Sequence, residues 1–369
     1  MMKPIIPRVP AVGVTGSAGK SSTTSFINAI FNTRWKNVLT TKGNMNLPKH
    51  TKQAVSQFNR NHKAIVLEMG LGRASNHFNY IQPNIGVITN VGTAHYGKLG
   101  NSIKETAKAK SAMIRNIHPR GILLLNNDDT NSKLLDYKNF KGDLIRVGIT
   151  SKSEYQATNI KYTSYGMIFG VTLRGKKVYF FIPAFGMHNV INALFAIAIA
   201  DRLNFSINEM KLGLRSCKSP SRRVNVIKLS KPKGALLIDD TFNANPQSVK
   251  AAVDVLAELG NKKKKIAVLG SMLELGDYSK KGHQEVGAYL AKKGIKHVFL
   301  YGKNASYVKT AAIENGIPEK NILHTTNRDK LHYGILRVLN EGCVVLIKGS
   351  HKMKMSRTAE YIARNSLKK

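Results

Sequence analysis

The chain has 369 residues, 42% of them hydrophobic, which suffices for two domains with sizeable cores. A net charge of +37 excludes an acidic chain and attracts nucleic acid, anionic membrane surface or acidic polymer, with a generally basic proteome as the plainer explanation. Two cysteines, Cys217 and Cys343, exclude a disulfide framework and a paired-cysteine metal site, and suit a reducing compartment.

The opening MMKPIIPRVP lacks the apolar run of a signal peptide, so the chain reads as cytoplasmic. Residues 9–14 are an apolar run and predict a short buried strand. It breaks into Thr15, Gly16, Ser17, Ala18 and Gly19, and Lys20, Ser21 and Ser22 then open a helix carrying Phe26, Ile27, Ile30 and Phe31. Strand, small-residue turn and helix N-terminus make a phosphate cradle: the glycines let backbone N–H groups approach phosphate oxygens and the helix dipole favours their charge. Lys20 can reach the outer phosphates, and a hydroxyl can ligate Mg2+. The general loop pattern wants glycine where this chain has Val14, so the loop is a TGxxGK[ST] variant.

Further strands are predicted at 38–41, 64–69, 85–91, 122–125 and 144–147, with a helix at 103–117. This alternation is that of βαβ units and a mostly parallel sheet. From 155 to 183, short alternating strands with Gly166, Gly170 and Gly175 predict an appended β-meander. Helices follow at 187–202 and to about Cys217; the stretch 190–200 is the most apolar but too short to span a membrane. The run SCKSPSRR at 216–223 reads as a linker, which divides the chain into domains 1–219 and 220–369. Beyond it, strands at 235–238, 265–269, 298–301 and 343–347 alternate with helices at 248–259, 279–292 and 328–339. The second domain is therefore a smaller, Rossmann-like α/β unit.

In such sheets ligands bind at the carboxyl ends of strands, and four polar places fall there. Glu68 ends the AIVLE run, where a carboxylate can hold Mg2+ directly or through water. Thr89 to His95 is a strand running into a glycine turn that presents His95 as a ligand candidate. Lys108 and Lys110 follow; by composition alone they are ordinary helix-surface lysines. Then Asp239, Asp240, Asn243 and Asn245 precede a helix-starting proline; the amides can read a base or sugar edge, and Asp240 can hold a ribose or a metal. Basic residues are spread along the chain in short runs such as 262–265, without the interleaved aromatics of a base-stacking platform.

TGSAGKSS, GNMN at 43–46, LEMG at 67–70, TNVGTAHYGKLG at 89–100, AKAKS, HNVINAL, DDTFNANP, GSMLELG and KGS at 348–350 occur in this order. In this the chain resembles the Mur ligases, and among them the branch that adds the terminal dipeptide to peptidoglycan precursors. The resemblance covers nearly the whole chain. It implies a P-loop-type ATPase central domain followed by the Rossmann-like one, closing on each other about a hinge near Arg222. It also implies an amide ligase: ATP phosphorylates a carboxylate, and an amine attacks the resulting acyl phosphate. By the family's motifs Lys20 contacts the outer phosphates, and Ser21, Glu68, His95 and a carbamylated Lys110 serve two Mg2+ ions. Asn189, Arg223, Asp240 and Asn243 match nucleotide-site positions. Asn44, Asn46, Lys348 and Ser350 match substrate positions.

Four departures shape the expectation of the acceptor, one being that the family's Gly-Glu-Ile downstream of LEMG is not evident in LGRASNHFNYIQP. The chain starts almost at the phosphate loop, so the family's domain for the UDP part of the precursor is expected to be absent. GNMN continues with Leu47-Pro48, and Ser271 replaces an aspartate in GSMLELG. The expected reaction is therefore ligation of an amino acid or dipeptide amine to a carboxylate that need not carry UDP. The ordinary dipeptide addition to a UDP-muramyl tripeptide is the alternative. A nucleotide-dependent scaffold recruited to an anionic polymer is the rival of another class.

Overall fold

A computed structural model describes residues 3–41, 43, 45–72 and 76–365. The chain forms two compact units, Met1–Gly92 with Ser102–Pro220, and Thr93–Asn101 with Ser221–Lys369. Each is built on its own sheet.

In the first unit the strands are β1 (Ala11–Thr15), β2 (Val38–Thr40), β3 (Ala64–Glu68), β4 (Ile85–Ile88), β5 (Ile122–Asn126), β6 (Asp143–Gly148), β7 (Tyr155–Tyr162), β8 (Met167–Leu173) and β9 (Lys176–Ile182). The helices are α1 (Lys20–Arg34), α2 (Pro48–Val55), α3 (Ile103–Lys110), α4 (Ala112–Asn116), α5 (Met187–Arg202) and α6 (Ile207–Ser216). One nine-stranded sheet runs β2-β3-β1-β4-β5-β6-β7-β8-β9. It is parallel from β2 to β7, and β7, β8 and β9 are the antiparallel meander, continuous with the parallel part.

Alternation along the strands explains why both faces are covered. Val12, Val14, Val66, Val87 and Leu124 point into one core with Phe26, Ile27 and Phe31 of α1 and with α5. Their neighbours Ala11, Ile65, Leu67, Ile88 and Leu123 point into the other, with Met113 and Ile117. From Asn189 to Ala200 every residue of α5 is buried, which accounts for its apolar composition. Among the described residues no helix is long and apolar enough to cross a membrane.

In the second unit the strands are β10 (Asn225–Lys228), β11 (Leu236–Asp240), β12 (Lys265–Gly270), β13 (His297–Tyr301), β14 (Ile322–Thr325) and β15 (Val344–Lys348). The helices are α7 (Pro246–Leu259), α8 (Ser279–Lys292), α9 (Ser306–Glu314), α10 (Arg328–Val338) and α11 (Ser356–Asn365). The sheet order is β10-β11-β15-β12-β13-β14, with β10 antiparallel and the rest parallel. All five residues of β15 are buried at its centre.

Some elements depart from the sequence expectation. The expected helix 103–117 breaks after Lys110, at Ser111. The Ser111 hydroxyl donates to the Ala107 carbonyl and accepts from Asp136 N–H, a local bonding pattern that competes with helix continuation. The short edge strands β10 and β14 carry only four residues each and no long apolar run, so periodicity does not mark them. The first strand starts at Ala11, after Pro10.

Helices α1 and α6 meet at Gly213. A Cβ there would lie 2.5 Å from Ile30 Cα and 2.8 Å from the Ala29 carbonyl oxygen, both backbone. Gly213→Ala is expected to lower the unfolding free energy by about 1–3 kcal/mol through this overlap, measured by urea denaturation. An unchanged midpoint would show that the two helices are not in close contact.

Candidate functional site

The phosphate loop leaves β1 at Thr15. Val14 lies inside the strand, fully buried and in register with Glu68 and Val87, so the loop proper is only Gly16 to Gly19. This is the physical reason for valine where the general pattern has glycine. Gly16 (φ 145°) passes so close to Thr89 that a Cβ would fall 1.9 Å from its Oγ1. Gly19 (φ 81°) caps α1, and a Cβ there would meet Asn192 Oδ1 at 2.6 Å. Asn90 Oδ1 accepts from the backbone N–H groups of Ser17 and Ala18, each at 2.9 Å. Ser17 Oγ exchanges hydrogen bonds with the backbone of Gly92, and Thr89 Oγ1 donates to the Ala18 carbonyl at 2.5 Å.

Lys20 lies back over the loop, its Nζ donating to the Gly16 carbonyl at 2.8 Å. No side chain caps the start of α1, so its dipole points into the loop unopposed; Ser22 lies in this first turn. Thr15 Oγ1 is buried without a hydrogen-bond partner among the described residues. A phosphate chain fits this cradle on those grounds.

Glu68 ends β3 next to the loop and is 1% exposed. Its Oε2 accepts from Ser21 Oγ at 2.5 Å and its Oε1 from Asn46 Nδ2 at 2.8 Å. A carboxylate and a hydroxyl side by side are hard oxygen donors, the set Mg2+ prefers. Asn44, the other substrate candidate of this segment, lies outside the described residues. Among the described residues no three His, Cys, Asp or Glu side chains converge on one point, so an ion here would lean on hydroxyl, phosphate and water oxygens.

Lys110, the last residue of α3, is buried rather than on the helix surface, and its Nζ donates to the Leu71 carbonyl at 2.7 Å. Burial first, and then repulsion from Lys20, push its pKa down to about 7. A buried lysine that is substantially neutral at neutral pH is a nucleophilic amine.

Asn189 is buried within α5. Its Nδ2 donates to the Phe185 carbonyl and its Oδ1 accepts from Asn192, whose Oδ1 accepts from Thr23 of α1. Its carboxamide thus braces α1 from behind the loop.

His95 groups with the second unit and has left-handed backbone (φ 60°). Its Nδ1 pairs with Glu274 Oε2 at 2.5 Å, and Lys98 Nζ pairs with Glu274 Oε1. Desolvation raises the Glu274 pKa, but Lys98 and His95 outweigh it and hold the carboxyl below its usual range. Such a carboxylate contact selects which imidazole nitrogen is left to face a ligand.

At the carboxyl ends of the second sheet, Asp240 of β11 stands in register with Lys348 of β15. Lys348, its side chain 3% exposed, is ion-paired with Asp240 Oδ2 at 2.6 Å and donates to the Asn243 carbonyl at 2.8 Å. Ser350 Oγ accepts from Leu273 N–H at 2.8 Å. The Arg223 guanidinium lies 4.0 Å over the Phe242 ring. Asp240, Asn243, Lys348 and Ser350, assigned by sequence to two different ligands, thus form one cluster. Asn245 is committed otherwise: it caps α7 through Ser248.

Asn90, Asn192 and Glu274 are the residues sequence reasoning did not single out. All three lie inside quoted motifs, but asparagine and glutamate are common at such places, and only their partners mark them.

A glycine-walled phosphate loop beside a buried carboxylate and a buried low-pKa lysine defines an enzyme that handles a nucleoside triphosphate. The Mur ligase middle domain matches residues 14–200, and the Mur ligase glutamate ligase domain matches 222–351. The UDP-N-acetylmuramoyl-tripeptide–D-alanyl-D-alanine ligase of Bacillus subtilis (strain 168) is 32% identical over 93% of this chain and 74% of its own length. That of Escherichia coli (strain K12) is 30% identical over 97% and 78%. A crystal structure of MurF from Acinetobacter baumannii superposes with a TM-score of 0.86 at 26% identity, over 96% of this chain and 76% of that one. MurF from Thermotoga maritima in complex with ADP, at 23% identity and a TM-score of 0.84 over 98% and 81%, shares the fold. The chain belongs to the Mur ligase family. It is an ATP-dependent ligase that forms carbon–nitrogen bonds, so the scaffold reading falls away.

The lowered pKa of Lys110 makes a stability prediction. Between about 7 and the usual lysine value of 10.5 the unfolded chain binds the proton and the folded chain does not. The contribution of Lys110 to stability is therefore fully present above 10.5 and is lost as pH falls towards about 7. In CO2-free buffer, the parent chain should gain stability steadily relative to Lys110→Met as pH is raised through this window. A difference that stays constant with pH would mean that Lys110 keeps its proton in the fold.

Proposed function

We propose that the chain joins D-alanyl-D-alanine to a UDP-N-acetylmuramoyl-tripeptide with hydrolysis of ATP. What carries this reading is the match along 93–97% of the chain to relatives named for that one reaction, from Bacillus subtilis and Escherichia coli among others. The expectation of a UDP-free acceptor gains no support from them. Leu47-Pro48 and Ser271, two of the features behind it, lie within the lengths matched by the family's two domains.

In this reading the loop residues Thr15 to Ser22 cradle the phosphates and Lys20 turns from the Gly16 carbonyl to the transferred phosphoryl group. The acceptor carboxylate attacks that group and ADP leaves. The amine then attacks the acyl phosphate carbon, a tetrahedral intermediate forms, and inorganic phosphate departs with the new amide in place. Mg2+, when bound, neutralises the phosphate charge during transfer. Ser21 and Glu68 would hold one ion, and Lys110 with His95 would serve a second. Neutral Lys110 can add to CO2 with loss of one proton, which turns a buried amine into a carbamate anion of the right charge for a metal. Asn189, Arg223, Asp240 and Asn243 would address the nucleotide, Asn44 and Asn46 the acceptor, and Lys348 and Ser350 the incoming amine.

The test is ADP release with product mass, using UDP-muramyl tripeptide plus D-Ala-D-Ala against UDP-free acceptors. Turnover confined to UDP-free acceptors would overturn the substrate assignment. Glu68→Gln and Lys110→Ala should each lower turnover by about 10^2 or more, since each removes an anionic group that would hold the Mg2+ neutralising the phosphate charge. Activity within about twofold of the parent in either variant would remove that residue from the mechanism.

A further inference from the structure

A cluster of lysines lies at one end of the second sheet. β11, β15, β12 and β13 are parallel, so their amino-terminal ends share one rim, opposite the end that carries Asp240 and Lys348. Register sets the rim's level: Leu236 and Lys265 both lie beside Val344, and Ile266 lies beside His297. The connections arriving at that level are rich in lysine. Lys231 and Lys233 occupy the β10–β11 turn, and the Lys233 carbonyl accepts from Gly342 N–H at 3.0 Å. Residues 262–265 are four lysines leading into β12, and the Lys264 carbonyl accepts from Val344 N–H at 2.8 Å. Lys296 enters β13.

Most of these ammonium groups are exposed, and among the described residues none of them is in an ion pair. Against them stand Glu258 at the end of α7 and Glu341 before β15. The field is felt inside the rim, where burial first and then Lys264 and Lys296 hold the His297 imidazole below its usual value.

We propose that this rim is a docking surface for an anionic lipid bilayer. Parallel strands about 4.8 Å apart set the lysines across the blunt end of a sheet, a broad array rather than a groove or a helix that enters one. The connections hold no Phe, Tyr or Trp on which bases would stack. Ile227 (40% exposed) on the edge strand and Leu336 (36% exposed) near the end of α10 flank the array and can enter the headgroup layer. Lysines at a bilayer surface each add to the attraction for anionic lipid, within a Debye length.

The full chain is sedimented with vesicles of phosphatidylcholine alone or with phosphatidylglycerol at about 7:3. Lys233→Glu/Lys263→Glu/Lys296→Glu is compared with Lys133→Glu/Lys138→Glu/Lys141→Glu, which makes the same charge change on exposed lysines of the first unit. Binding to the mixed vesicles should fall by about tenfold or more in the rim variant and by less than about twofold in the control, and should weaken with salt. Thermal melting and ADP release should stay at parent values in both. Equal loss in the two variants would assign the attraction to diffuse charge and overturn the rim. Failure of the parent to bind mixed vesicles, or binding to duplex or single-stranded oligonucleotide alone at the same salt, would overturn the bilayer.

Discussion

Everything in the first unit depends on how closely β1 and β4 can bring two loops together. β1 must turn at Thr15 into a loop whose backbone N–H groups face inward, and nothing in the loop itself makes it do so. The Asn90 side chain, at the end of the neighbouring strand, takes the Ser17 and Ala18 N–H groups, and Thr89 presses on Gly16. A side chain at Gly16 would collide with Thr89, so the close approach exists only because that residue is glycine. From this contact follow the start of α1 at Lys20, the placement of Ser21 against Glu68, and the electrostatic coupling of Lys20 to Lys110.

Charge is handled by burial and pairing in different ways in the two units. In the first, Lys110 sits buried with a carbonyl for a partner and sheds its proton readily. In the second, Lys348 is buried just as deeply but faces the Asp240 carboxylate across the register of two parallel strands. The same residue type is therefore buried against a backbone carbonyl in one place and against a carboxylate in the other.

The parallel sheets also explain why chemistry and surface charge separate. Carboxyl ends of strands collect the polar residues that follow them, Glu68, Asp240 and Lys348 among them. Amino ends collect the residues that precede them, and in the second unit those are lysines. Strand direction alone thus divides the second unit into an end that carries the Asp240–Lys348 pair and an end that carries lysines.

Much was legible in the sequence because apolar periodicity and glycine punctuation are local signals. The central strands, the meander, α5 at residues 187–202 and the phosphate loop all carry such signals, and the ordered motifs name the ligase family. The short edge strands and the break at Ser111 were not legible, because they answer to a neighbour's hydrogen bonds rather than to their own pattern. The site divides along the same line. Sequence alone marked Gly16 to Ser21 as a turn and helix start suited to a phosphate, since the residue types there and their spacing are local signals. Only the tertiary structure decided that Lys110 is buried and close to neutral, that Asn90 braces the loop, that Glu274 holds His95, and that Asp240 and Lys348 are one pair. Burial and pairing are properties of residues far apart in the chain, and no spacing along it encodes them.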